Sequence, residues 1–453
     1  MDGKDENNHL EAISRAMYKF RDYVIHVMSF LMYRFTRSII VTFQKFTWAV
    51  TGVERIRRDA KRGLQFKQSA HVQEIFWKRK FLPTTIADPN NFIALHKGFK
   101  HPNYVLKPFV SLYCMTKDEA VFVETPEGVN IYRDKKSRPL YEAQFEHATK
   151  MITMPLASFH KIASDVGDPR TRVVWLSSTD HCGSSLLAQV FSRVPGMMVI
   201  LEPDAITKLG FLWKYHILKK GEYEQLLASA VRLLCKPDDR AGMICVKTRS
   251  CATRQVEDIV MLFPKIRQLF MYRNSLKTLV SSLNMLQIDP AAKAMRFVMD
   301  NDILSTIFPC FRSMMYNYYV RLNEKQIDTL RPSKMSTVGI FTAAWAAAVA
   351  RVVENREKGF HIMPVLYEDI MKDPRRSCAI LFDRLDIRKE ALALALEAFK
   401  VDSQRSAVYG LMNTDTRRAI PQESRIEADT ILKKYGLLKL GERFEIPGLI
   451  KLD

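Results

Sequence analysis

The sequence predicts an α/β chain: a three-layer α/β/α body around a central parallel sheet, preceded by a helical N-terminal arm and a small α+β accessory region. Three observations predict it. First, Val173–Pro203 (VVWLSSTDHCGSSLLAQVFSRVPGMMVILEP) opens with a short apolar run of the kind found in strands buried on both faces. A loop of small polar residues follows, then Leu186, Leu187, Val190, Phe191 and Val194 at helical spacing, then a second apolar run that stops at Glu202-Pro203. Second, helical and strand patterns keep alternating after Pro203, which implies parallel strands with helices on their faces. Third, the polar residues of these units collect where strands end, at Ser177–Ser185, Glu202, Lys247–Arg249 and Arg273. Parallel sheets bind ligands outside those carboxyl ends.

The elements follow in order. Residues 1–66 form the arm. From about Ile13 to Val53 they are rich in large apolar side chains, among them Phe30, Phe35, Phe43, Phe46 and Trp48. A membrane span needs about 20 consecutive mostly apolar residues. Arg34, Arg37 and Lys45 cut this run into shorter pieces, so an interfacial amphipathic helix is expected instead, followed by the basic patch Arg55–Arg62. A helix packed on the body, or a dimerisation arm that would make the chain a homodimer, is the alternative.

Residues 67–168 carry no recognisable chemistry. Val110–Cys114, Ala120–Glu124 and Val129–Tyr132 have strand character, separated by Lys117-Asp118 and Pro126-Glu127-Gly128. A helix is expected from about Leu140 to Asp165, and Asp165–Pro169 reads as a linker. Residues 169–453 form the main domain. There Ala205–Leu234 is mostly helical, Gly242–Val246 a strand, Ala252–Leu262 a helix and Ile266–Tyr272 a strand. A further helix starts near Ser275 and carries Leu276, Leu279, Val280, Leu283 and Leu286.

Charge narrows the partner. The 453 residues hold 69 Lys+Arg against 49 Asp+Glu, a formal net charge of +20, so the chain attracts nucleic acid, anionic membrane or anionic small molecules. No nucleic-acid module or basic–aromatic ribbon is present, and nucleic acid is not expected. Seven dispersed cysteines with no CxxC pair read as buried thiols in a reducing compartment, and no metal is expected. No N-x-[ST] sequon and no secretory leader is recognisable. The expectation is a cytoplasmic protein in peripheral contact with a membrane.

The loop after the first parallel strand departs from the phosphate loop G-x-x-x-x-G-K-[ST]. It ends Gly183-Ser184-Ser185, with serine in place of the lysine and Ser178 in place of the first glycine. Exposed N–H groups and the dipole still make a helix N-terminus an anion site. The plain alternative is a βα turn capped by Ser184 or Ser185.

Three segments together resemble a known family. SSTDHCGSSLLAQVF…ILEP is similar to the 5′-phosphosulfate-binding loop of the sulfotransferase superfamily, especially its carbohydrate-type members. Ile266–Leu283 resembles the family's 3′-phosphate segment, with Arg273 ending a strand and Ser281 eight residues on. Val365–Pro374 (VLYEDIMKDP) resembles the late V-R-Y-E-D-L-x-x-D-P turn. The resemblance covers about Arg172–Leu385. It implies a P-loop NTPase-like fold of the sulfotransferase type and a donor, 3′-phosphoadenosine 5′-phosphosulfate (PAPS). It also implies sulfuryl transfer to a hydroxyl or amine of a sugar, lipid or other small-molecule acceptor.

Residue roles follow from the resemblance. Cys182, Gly183, Ser184 and Ser185 would hold the 5′-phosphate, and Lys247 would reach the bridging oxygen or the sulfate. Arg273 would grip the 3′-phosphate with Ser281 beside it, and either Glu202 or His181 would be the base. Thr179–Cys182 stands where the family carries a lysine or arginine, with one residue inserted before Gly183. Arg405 and Arg417-Arg418 lie where a glycine-rich basic loop would close over the nucleotide. Two alternatives stay open: a catalytically inactive, membrane-associated scaffold of the same fold, and a P-loop nucleotide kinase, which needs the missing lysine. The carbohydrate-type members are Golgi membrane enzymes, which makes that membrane the alternative location.

Overall fold

A computed structural model describes residues 3–133, 139–236, 241–287, 290–324, 330–400 and 420–450. Two five-stranded sheets organise them. The first is antiparallel and comprises β1 (Ala70–Lys78), β2 (Phe92–Lys100), β3 (Val110–Met115), β4 (Glu119–Glu124) and β5 (Lys150–Pro155), in the order β2-β1-β5-β4-β3. The second is wholly parallel: β6 (Arg172–Ser178), β7 (Met197–Leu201), β8 (Met243–Lys247), β9 (Arg267–Tyr272) and β10 (Ile362–Leu366), in the order β10-β9-β6-β8-β7.

The period of two along each parallel strand sorts its residues into two cores. Val173, Trp175, Ile244, Val246, Phe270 and Tyr272 face one. Val174, Leu176, Cys245, Leu269 and Met271 face the other. Helices Asp204–Lys214, Lys220–Leu234, Gln255–Leu262 and Thr337–Glu357 cover the first face, and Ser184–Ser192 and Pro374–Arg384 the second. This is the three-layer α/β body the sequence predicts. The chain runs from β6 outward to β7 and β8, then crosses back to β9 on the other side of β6. The loop after β6 therefore sits at the topological switch point, where such sheets leave a crevice.

The antiparallel sheet differs from expectation. Val129–Tyr132 is not a strand; the chain there is irregular and tightens into a 3-10 turn at Ile131–Arg133. The helix expected from Leu140 to Asp165 is two helices, Leu140–His147 and Leu156–Val166, with β5 between them. The run Met151–Pro155 is wholly buried between β1 and β4, and Pro155, which has no N–H to give a helix interior, sits at the cap of the second helix.

Gly3–Val50 is one continuous helix. Arg34, Arg37 and Lys45 do not interrupt it, and Val24–Val50 is long and apolar enough to cross a membrane, which corrects the expectation of short pieces. Thr337–Glu357 passes the same test but is mostly buried in protein.

Candidate active site

The loop after β6 is knitted into the ends of its neighbours. Thr179 N–H donates to Met271 O of β9 at 3.0 Å, and Thr248 N–H donates to Leu176 O at 3.0 Å. Thr253 Oγ1 donates to Ser178 O at 3.1 Å, and Cys182, fully buried, turns its thiol to Met271 O. Ser184 meets Ser178 hydroxyl to hydroxyl at 3.1 Å. The helix Ser184–Ser192 then starts from Gly183 with φ +82° and no side-chain cap. Its first N–H groups are thus left uncapped by Ser184 or Ser185, and Ser185 is exposed at the loop. Gly183 is required twice over: its φ is left-handed, and a Cβ there would lie 2.5 Å from the Tyr367 ring.

Arg273 joins the loop from β9. Its Nη1 donates to the carbonyl of His181 at 3.3 Å, and its guanidinium lies 4.8 Å from the Tyr367 ring centroid. Its own carbonyl accepts the indole N–H of Trp345 at 2.9 Å. Arg273 and Lys277 also line a cavity of about 110 Å³ with Trp345, Glu368 and Arg443. A cleft of about 570 Å³ at Arg172, Gly196 and Gly242 opens at the opposite, N-terminal ends of the strands, away from these groups.

Across the crevice, the buried Lys247 ammonium pairs with Glu202. Burial raises the Glu202 pKa, but the charges of Lys247 and Arg249 outweigh it and hold the carboxyl below its ordinary 4.5. Arg249, also buried, donates to Asp204 at 2.8 Å, Tyr318 at 2.8 Å and Thr84 O at 2.9 Å. His181 is depressed below 6.5, first by burial and then by Arg273 and Lys247 against the pull of Asp180, so its ring is neutral at pH 7. Asp180 accepts from Ser250, which turns its charge toward the loop after β8.

Backbone strain marks the same two residues. Among the described non-glycine residues, four have positive φ, and two of them are His181 (+47°) and Glu202 (+51°). Such conformations cost about 1–3 kcal/mol each and cluster at functional sites.

Four buried polar atoms at these strand ends have no partner: Thr179 Oγ1, Thr248 Oγ1, Arg249 Nη2 and Arg273 Nε. Each is a donor left unused, and buried groups of this kind are ordinarily satisfied. An anion with several oxygens suits such a set.

The structure thus brings together His181, Cys182, Gly183, Ser184 and Arg273, and separately pairs Glu202 with Lys247. Ser281 is half-buried, six residues into the helix Ser275–Met285, and no hydrogen bond ties it to Arg273. Arg405, Arg417 and Arg418 lie outside the described residues. Sequence reasoning gave Tyr367 and Trp345 no part in the site, and it placed Arg249 at a strand end without assigning it a role. Tyr367 follows β10 directly, so the same strand-end rule that selected Arg273 could have found it.

No family model matches the chain, and no curated protein matches it. Among solved structures it is similar to the sulfotransferase STF9 from Mycobacterium avium, with a TM-score of 0.36 and 11% identity over 63% of this chain and 83% of that one. It is also similar to the sulfotransferase domain of the Synechococcus PCC 7002 olefin synthase, with a TM-score of 0.31 and 13% identity over 59% of this chain and 95% of that one.

Proposed function

We propose that this chain transfers the sulfuryl group of PAPS to a hydroxyl or amine of an acceptor. The observation that carries this reading is the contact of Arg273 with the His181 carbonyl, which sets a guanidinium beside an uncapped helix N-terminus at the switch point of a parallel sheet. That juxtaposition suits a ligand with two separated anionic groups. The N–H groups from Gly183 to Ser185 would take the 5′-phosphate, with the Ser184 and Ser185 hydroxyls beside them. The Arg273 fork would take the 3′-phosphate, and Ser281 would approach it only if its helix turns toward the nucleotide.

In the transfer step the acceptor oxygen or nitrogen attacks sulfur. The new bond to sulfur forms as the bond to the bridging oxygen breaks, and 3′-phosphoadenosine 5′-phosphate leaves. The acceptor proton passes to a base. Lys247 would leave Glu202 for the bridging oxygen, where charge develops. Losing that partner raises the basicity of Glu202 as the proton has to be taken. We assign Glu202 as the base; His181, neutral and within the field of Lys247, is the rival.

One observation favours a second reading, a catalytically silent member of the same fold: Lys247 and Glu202 already neutralise each other. Thermal shift with 3′-phosphoadenosine 5′-phosphate, on wild type and Arg273→Ala, tests the site. A ligand that binds only the folded protein raises its melting temperature. The reading expects a rise in wild type that the variant loses. A rise without sulfuryl transfer to any acceptor favours a silent member that keeps the site, and no rise at millimolar ligand refutes the transferase reading and leaves the silent one.

A further inference from the structure

We propose that the N-terminal helix lies in the plane of an anionic membrane surface, with its outward apolar face embedded at headgroup depth and its polar face held on the antiparallel sheet. The helix is inverted relative to one that packs on a soluble protein. Its inward stripe is polar and aromatic. Tyr33 OH donates to Asn90 O at 3.1 Å, Arg37 Nε to Phe92 O at 3.1 Å and Gln44 Nε2 to Ala94 O at 2.9 Å. Trp48 closes this stripe edge-on to His71. These side chains cover the open edge of β2, which would otherwise invite pairing with another chain.

The outward stripe is apolar. Met28, Met32, Phe35, Ile39, Phe43 and Phe46 are between 55% and 69% exposed and recur every three or four residues. Single exposed apolar residues are ordinary, but a continuous stripe of this size marks a binding surface. The helix Pro290–Asp300, which touches this one, exposes Phe297, and the next exposes Ile303 and Ile307.

Charge selects the occupant. Between Asp22 and Glu54 the chain has no carboxylate, while Arg34 and Lys45 are exposed and Arg55, Arg58 and Arg62 follow, also exposed. A second copy would bring these cations against their own kind. Anionic headgroups supply the missing charge, and long basic side chains reach them while the stripe beneath is buried. A spanning helix is disfavoured because Arg37 and Gln44 would leave the β2 carbonyls for hydrocarbon.

The test is flotation of the full chain with vesicles of phosphatidylcholine alone and of phosphatidylcholine with phosphatidylserine. Binding is expected to the mixed vesicles, to weaken in high salt, and to fall about tenfold or more in Phe35→Glu/Phe43→Glu as apolar burial is lost. Both positions are exposed, so the melting temperature of that variant should hold. In Asp22→Cys and Thr51→Cys variants made on a Cys310→Ser background, which removes the exposed native thiol, both introduced thiols should react with an impermeant maleimide added outside the vesicles. Equal binding by wild type and the double variant would overturn the proposal. So would protection of one thiol, which means a span, or a lipid-free dimer that the double variant abolishes.

Discussion

The indole N–H of Trp345 donates to the backbone carbonyl of Arg273 at 2.9 Å, so a helix that enters the chain more than sixty residues later fixes the residue that ends β9. Arg273 in turn holds the carbonyl of His181. Trp345→Phe keeps most of the buried ring but deletes the donor and leaves that carbonyl unpaired, a loss of about 1 kcal/mol. Binding of 3′-phosphoadenosine 5′-phosphate, followed by calorimetry, should weaken about fivefold by the same figure. Unchanged affinity would mean that Arg273 is positioned without Trp345.

The contrast between these residues explains what the sequence discloses. β6, β8 and β9 are legible because strands buried on both faces are plain apolar runs, and their ends point to Lys247 and Arg273 without further help. β1 and β2 are harder. Their faces carry His71, Gln73, His96 and Lys97, and the helix covering the edge of β2 bonds it through polar side chains, so no clean alternation is left to read. β5 is a short run between two helices and passes for part of one. Trp345 acts through a contact between segments distant in the chain, which no local pattern announces. The same is true of Asp180, whose partner Ser250 lies beyond β8.

Gly183→Ala should destabilise the loop through two separable effects. Alanine is strained at φ +82°, and its Cβ would sit 2.5 Å from the Tyr367 ring. A loss of about 1–3 kcal/mol is expected for the backbone alone, read from urea denaturation. Adding Tyr367→Ala removes the clash but not the strain, so it should relieve the glycine substitution only in part. Full relief would show that φ at this position is free to change.

The base assignment has a pH signature. Glu202 titrates below 4.5 and His181 below 6.5. With Glu202 as base, kcat/KM, which reads the free enzyme with Lys247 still on Glu202, should hold as the pH falls through 6 and decline only below 4.5. Glu202→Gln should lose about 10²–10⁴-fold in kcat, the usual worth of a general base. His181→Gln should keep most of the rate. An acid limb above 4.5 that His181→Gln removes would transfer the role to the histidine.

His71 provides a pH effect on stability that is independent of catalysis. It is buried, its Nε2 lies 2.8 Å from Nδ1 of His96, and it stacks on Phe99 with centroids 4.8 Å apart. Burial first, then the charges of Arg57 and His96, push its pKa from 6.5 down to about 3. The folded chain therefore keeps the ring neutral at pH values where the unfolded chain takes up a proton. This penalty is absent above pH 6.5 and grows as the pH falls from 6.5 toward 3, reaching about 2 kcal/mol at pH 5. The melting temperature of wild type should consequently drop further between pH 7 and pH 5 than that of His71→Phe, by a few degrees. Parallel curves for the two proteins would mean that the ring is reached by solvent and titrates near its ordinary value.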